Sequence, residues 1–275
     1  MTTFKFNSAR SFKNSLGKTL AVVENAELAV RKMIAEAGQS GDAESYIKGI
    51  STTYDVKVDS LNPVLLSHLM CQLFIVTVHQ QFEAFLRELR SEIMTIKWEK
   101  KKDGESLFNA MLRSFPLGFD DARCAIGFLE VEVADYYRLV RNQFAHGDAD
   151  STVPKNSDGL KNKVQRPKSP YCKLLAPNDH SALTFDDFIL FNRCVQKIAK
   201  AFCTVARPED KEIASMFLRS QPSEKGQKKV ADLIKTLPHV RSVNSLRTLL
   251  RITYGLSVDE ADPIIALLAK YGTVA

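Results

Sequence analysis

The sequence predicts an all-α fold, and three observations carry the prediction. Apolar residues recur at helical spacing through nearly the whole chain, which places them on one stripe of a helix and not on alternate sides of a strand. Start and stop residues bracket those stretches: Asn62-Pro63 reads as an N-cap with Pro at the first helical position, Thr184 as an N-cap, and Gly38 as the residue that ends a helix in a left-handed turn. No convincing run of strands is present, and only Tyr54 to Lys57 and Gly272 to Ala275 suggest short extended pieces.

Taken in order, Thr19 to Ala37 is rich in Ala and Glu and predicts a helix stopped at Gly38. From Pro63 an unbroken pattern runs to about Lys102, with Val78, Phe82, Phe85, Leu86, Leu89 and Ile93 on one stripe. A helix of about 40 residues would span about 60 Å. It starts apolar on all sides and ends charged, so it is expected to begin inside a bundle and project out of it. Glu105 to Ser114 predicts a shorter helix, stopped by Pro116, and Asp120 to His146 a second long one, ended by Gly147 and Asp148. Pro154, Pro167, Pro170 and Pro177 make residues 150–179 a basic loop. Helix resumes after Thr184 and runs through Phe188, Phe191, Val195, Ile198 and Phe202 to Ala206. Arg207-Pro208 then opens a region with four short helical patterns: Glu209 to Arg219, Glu224 to Leu237, Ser245 to Tyr254 and Asp262 to Tyr271. The expected organisation is a helical domain over 1–206 and a small helical module over 207–275.

Bulk properties narrow the class. The 275 residues are 45% hydrophobic and 25% charged, as in an ordinary globular protein. The formal charge of +6 and pI near 9.0 suit an anionic partner without requiring one. Five scattered cysteines, four of them inside apolar helical patterns and none in a CxxC pair, point to a reducing cytoplasm and away from zinc. Met1 to Lys18 has no apolar core of a signal peptide, and Val64 to Val78, interrupted by Ser67, His68, Gln72 and Thr77, reads as a buried helix and not as a membrane span.

One stretch carries chemistry: Tyr136-Tyr137-Arg138-Leu139-Val140-Arg141-Asn142-Gln143-Phe144-Ala145-His146-Gly147. It ends a helical segment with a fixed cation, an amide and an imidazole, the tools for cleaving a phosphodiester without a metal. On a helix Asn142 and His146 share a face, and Arg141 reaches in from the side on its long stem. The same cations also suit a helix C-terminus for electrostatic reasons alone. Competing signatures are absent: there is no phosphate-binding Gly loop, HExxH, GxSxG or paired Cys/His spacing, and Asp120-Asp121 and Asp186-Asp187 read as first-turn acids.

Arg141-Asn142-Gln143-Phe144-Ala145-His146 resembles the HEPN superfamily, whose ribonuclease members carry an Arg, usually a polar residue, and a His after four to six intervening positions. The stretch from His79 to Leu89 resembles the partner helix of such bundles. The resemblance covers about Thr19 to Ala206 and not the C-terminal module. It implies a bundle with long antiparallel helices and a homodimer, or a higher oligomer, whose two motifs face one cleft. It also implies metal-independent cleavage of RNA by 2′-OH attack to a 2′,3′-cyclic phosphate, with no cofactor. The setting it implies is bacterial defence or a toxin system, with an antitoxin or regulatory partner. His146 would move protons, Arg141 neutralise the phosphate and Asn142 orient either. Such a reaction needs a 2′-OH and so selects RNA over DNA.

Around these three, Glu83 either fixes Arg141 across the bundle or pairs with Arg87 one turn on. Tyr137, with Tyr136, either stacks a base or packs at a dimer seam. Lys155, Lys161, Lys163, Arg166 and Lys168 of the basic loop are either phosphate contacts beside the cleft or a solvated linker. His79 and His68 read as structural, and His180 and His239 as loop residues without ligand spacing. Trp98 has either a partner chain or a local contact. Some toxin relatives carry a modified Tyr two residues after the His; here that position is Asp148.

Overall fold

The structure, a computed structural model, describes residues 3–58, 63–146, 157–219 and 224–272. Among these residues every regular element is a helix and none is a strand, so the chain is all-α. In chain order the helices are α1 (Asn7–Gln39), α2 (Ala43–Tyr54), α3 (Pro63–Glu92), α4 (Leu107–Ser114), α5 (Phe119–Ile126), α6 (Phe128–His146), α7 (Ser157–Val164), α8 (Phe185–Val205), α9 (Asp210–Arg219), α10 (Glu224–Lys235), α11 (Val240–Tyr254) and α12 (Val258–Gly272). No helix among the described residues is long and apolar enough to cross a membrane.

They form two compact units, one from Met1–Ser11, Phe85–Ile126 and Ala199–Ala275, the other from Phe12–Ala84 and Gly127–Ile198. In the first unit α12 packs on α9, α10 and α11, and the chain start joins them. Lys5 N donates to Tyr254 O at 2.7 Å, and the Phe4 ring stacks on Tyr254 at 5.6 Å. Phe202, Phe85, Phe108 and Phe115 make an enclosed aromatic cluster with ring centres 5.7–6.4 Å apart. In the second unit α6 packs on α7, and the core holds Cys71, Ile75 and Val78 of α3, Val133 and Val140 of α6, and Phe188, Phe191 and Val195 of α8.

Several boundaries differ from the sequence reading, each for a physical reason. α1 begins at Asn7, not Thr19, because its first N–H groups are met by a distant carboxylate: Asn7 N and Ser8 N donate to Glu92 at 2.8 and 3.0 Å. It runs through Gly38 to Gln39, and the turn falls at Gly41 (φ 75°). Asp42 then caps α2 by accepting from Glu44 N and Ser45 N. This helix was not expected; it has no buried residue, and it absorbs Tyr54 from the supposed extended piece.

The long helix expected to reach Lys102 ends at Glu92, ten residues short, and its last turns are not a free extension: Phe85, Leu86 and Leu89 are buried. Trp98 Nε1 donates to Ile93 O at 3.2 Å and its ring meets Phe115 edge-on at 6.0 Å. Arg113 of α4 then holds Glu105, Glu99 and the Lys100 carbonyl, folding the charged segment back onto α4. The helix expected over Asp120 to His146 breaks at Gly127, whose φ of 120° lies outside the range side-chain-bearing residues tolerate. Within the supposed basic loop, Ser157–Val164 is helical as α7. α12 starts at Val258, before the expected Asp262, and carries Pro263 inside it. Gly272 closes α12, so it is not part of an extended piece; residues 273–275 lie outside the described residues.

Candidate functional site

The motif occupies the last turns of α6, within the second unit. Arg141 is half-buried; its Nη1 donates to Asn142 Oδ1 at 3.2 Å, and its buried Nε has no hydrogen-bond partner among the described residues. His146 is the final residue of α6, and its side chain lies outside what the structure describes. Gly147, Asp148 and Lys155 also lie outside the described residues. The structure therefore places Arg141 and Asn142 together at a helix end and sets His146 one turn beyond Asn142 on the backbone.

Behind the motif lies a polar network that the sequence reading missed. Asp187, near the start of α8, is wholly buried, yet it accepts five hydrogen bonds. The donors are Tyr137 Oη (2.8 Å), Asn178 N (2.8 Å), Asn178 Nδ2 (2.7 Å), Thr184 N (2.8 Å) and Thr184 Oγ1 (3.0 Å). The last two supply the returning half of a capping box, in which the third helical residue reaches back to the N-cap, while Asp187 N donates to the Thr184 carbonyl at 3.0 Å. The first three tie α6 and the loop before α8 to that box. Tyr136 Oη also donates to the Asn178 carbonyl, and Lys161 Nζ of α7 donates to Asn178 Oδ1 at 2.7 Å. One carboxylate thus pins the loop from Leu175 to Thr184 beside the motif helix. Asp187 was read as an ordinary first-turn acid; the Thr-x-x-Asp spacing was the available signal for the box, and nothing local revealed its burial.

Both tyrosines are interior. Tyr137 packs on Phe191 with ring centres 5.0 Å apart, and Tyr136 is 3% exposed. Neither stacking on a base nor a dimer seam, the two uses the sequence left open, describes these rings: they fill the core and hydrogen-bond the network. Burial, and next the charge of Asp187, push both phenols well above their ordinary pKa, so they stay protonated donors.

A second buried carboxylate, Glu130, accepts from Tyr171 Oη at 2.9 Å and pairs with Lys197 at 2.6 Å. Glu83 lies half-buried on α3. Of the expected phosphate contacts, Lys161 is engaged by Asn178 and Lys163 by Glu132 at 2.8 Å, whereas Arg166 and Lys168 are exposed beyond α7. His79 is buried, and His68 lies half-buried with Nε2 2.7 Å from Gln72. His239 caps α11 through Nδ1. His180, set aside as a loop residue, instead touches the motif segment: its Nε2 lies 3.1 Å from Gln143 Nε2. Cys71, Cys194 and Cys203 are buried, while Cys124 is exposed and Cys172 half-buried. Burial pushes the Cys71 thiol up to about 12, which leaves it an unreactive small hydrophobe.

No family model, curated protein or solved structure matches this chain.

Proposed function

We propose that the chain is a metal-independent endoribonuclease of the HEPN type, acting as a homodimer in a bacterial defence or toxin setting. The observation that supports this reading most is the placement of Arg141 and Asn142, in mutual contact, on the turn that leads to His146 at the end of α6. The Asp187 network behind them holds that helix end in one geometry, which catalysis by positioned groups requires. His146 takes the 2′-OH proton, the 2′-oxygen attacks phosphorus, and Arg141 neutralises the charge that builds on the equatorial oxygens. Asn142 keeps the guanidinium aimed. The product is a 2′,3′-cyclic phosphate, and DNA is not a substrate.

The test is cleavage of single-stranded RNA in EDTA by purified protein. Wild type is expected to leave 2′,3′-cyclic phosphate ends. Arg141→Ala and His146→Ala are each expected to lower the rate by about 100-fold or more. Binding of RNA without cleavage would replace the enzyme with a binding module, and cleavage by both variants at the wild-type rate would remove the motif from the chemistry.

A further inference from the structure

Positive charge is not spread evenly along the chain. Residues 224–254, which form α10, the turn after it and α11, carry seven Lys and Arg against two acids, a formal +5 of the chain's +6. α11 itself contains no acidic residue. Its apolar stripe of Leu246, Leu250 and Tyr254, with Ser242, is buried, and α10 and α12 pack on the helix. The opposite face is open: Arg241, Asn244, Thr248, Arg251 and Ile252 are exposed. With Lys229 of α10, Arg241, Asn244, Ser245 and Thr248 line a groove that has no acid in its walls. Arg247 is neutralised by Asp262 of α12, which accepts from its guanidinium at 2.7 and 2.8 Å. Lys229, Arg241 and Arg251 have no ion pair among the described residues.

The groove also offers oxygens that are left to accept. Ser245 Oγ donates to the Arg241 carbonyl and Thr248 Oγ1 to the Asn244 carbonyl, each at 2.9 Å, so both hydroxyl hydrogens are engaged and only lone pairs remain for a ligand. A matching ligand brings anionic oxygens for the cations and hydroxyl donors for these acceptors. The backbone of RNA has both, in its phosphates and 2′-OH groups, whereas the DNA backbone has no donor. From Arg241 to Arg251 the helix rises about 15 Å, so its cations reach several phosphates of one strand. An anionic membrane would need an open apolar face, and the apolar stripe of α11 is buried. We propose that the α10–α11 groove is an RNA-binding site, which grips the phosphates through Lys229, Arg241 and Arg251 and senses 2′-OH groups at Ser245 and Thr248. It belongs to the first unit, whereas the Arg141 motif belongs to the second, and it does not depend on the ribonuclease reading.

The test is fluorescence anisotropy of the full chain with a labelled single-stranded oligoribonucleotide, in a His146→Ala background so that cleavage does not obscure binding. Lys229→Gln, Arg241→Gln and Arg251→Gln together are expected to weaken binding about 100-fold at about 0.1 M salt. They are also expected to lower the slope of log Kd against log salt by about 2, because each phosphate contact on a single strand adds about 0.7 to it. An equal-charge control, Lys13→Gln, Lys18→Gln and Lys48→Gln, removes exposed cations of α1 and α2 and is expected to stay within a fewfold. If the control loses as much, binding follows net charge and the groove is not the site. DNA of the same sequence is expected to bind several-fold more weakly, and Ser245→Ala with Thr248→Val to erase that preference while leaving the salt slope unchanged. Equal affinity for RNA and DNA before those two substitutions would overturn the assignment to RNA, and so would no RNA binding at all. A triple Gln variant that keeps RNA binding but loses binding to phosphatidylserine vesicles would make the groove a membrane surface and overturn it too. The ribonuclease reading fails separately: a wild type that binds RNA through this groove and leaves it uncut removes the chemistry and keeps the site.

Discussion

The aromatic cluster around Phe202 and the carboxylate network around Asp187 are both enclosed, yet they hold the chain by different physics. Phe202, Phe85, Phe108 and Phe115 gain from leaving water and from dense contact, and such attraction has little directional preference. Asp187 gains only if five donors arrive from stated directions, and one missing partner leaves a buried polar group unpaired. The first arrangement tolerates small shifts. The second fixes the relative placement of α6, α7 and the loop carrying Asn178 and His180. The directional core lies beside the candidate site, where a catalyst needs fixed geometry.

Substitutions at the two cores sharpen that contrast. Phe202→Ala is expected to cost about 3–5 kcal/mol by urea unfolding, the largest loss among these variants, because it empties a site lined on several sides by rings. Asp187→Ala is expected to cost about 3 kcal/mol, since five donors lose their acceptor at once. The two variants should part company in function. In conditions where both remain folded, Asp187→Ala is expected to lose RNA cleavage, and Phe202→Ala to keep most of it. Equal retention of activity would show that the network does not position the site.

Gly127 tests the second buried carboxylate. A Cβ there would fall 2.2 Å from Glu130 Oε2, on a backbone with φ of 120°. Glu130 has no freedom to swing aside while Tyr171 and Lys197 hold it. Gly127→Ala is therefore expected to cost about 2 kcal/mol in chemical denaturation. By contrast Gly38 is helical with open space around it, and Gly38→Ala is expected to be neutral or mildly stabilising.

The tyrosines give the network a pH signature. Tyr136, Tyr137 and Tyr171 all have folded pKa values raised by burial, with nearby carboxylates adding to the effect. In the unfolded chain they titrate near pH 10. Above that pH the unfolded state has lost protons that the folded state retains, so stability is full below about pH 10 and falls as pH rises further. Each group contributes a slope of up to about 1.4 kcal/mol per pH unit. Tyr137→Phe is expected to cost about 1–2 kcal/mol at pH 8 and to flatten the alkaline limb of a melting-temperature profile. An unchanged limb would mean that the phenol is not held protonated.

How much of this was readable in advance follows the same division. Periodicity located α3, α8 and the C-terminal helices because their apolar stripes are local facts. The Arg141 to His146 segment was legible as a motif, and Thr184 as a cap, for the same reason. What escaped depended on partners far along the chain. Glu92 starts α1 from beyond its own segment, Trp98 and Arg113 fold back a stretch whose composition is helical, and Gly127 breaks a pattern that continues across it. Asp187 looked like any first-turn acid, because nothing within four residues indicates that Tyr137 and Asn178 converge on it. His180 was passed over because its neighbour, Gln143, is 37 residues away.

A modest expected loss isolates direction from burial. Ser106 and Asp187 both satisfy backbone N–H groups at a helix start: Ser106 Oγ accepts from Asn109 N at 3.0 Å at the head of α4, as Asp187 accepts from Thr184 N at the head of α8. Ser106 is only half-buried, so water can replace its hydroxyl when it is removed. Ser106→Ala is thus expected to cost about 1 kcal/mol in urea unfolding, the ordinary worth of a cap, with no change in RNA cleavage. The excess for Asp187→Ala over this value measures what burial and the donors from Tyr137 and Asn178 add to a local capping bond. If the two variants cost the same, the tertiary donors contribute nothing, and the contrast between the two cores loses its energetic basis.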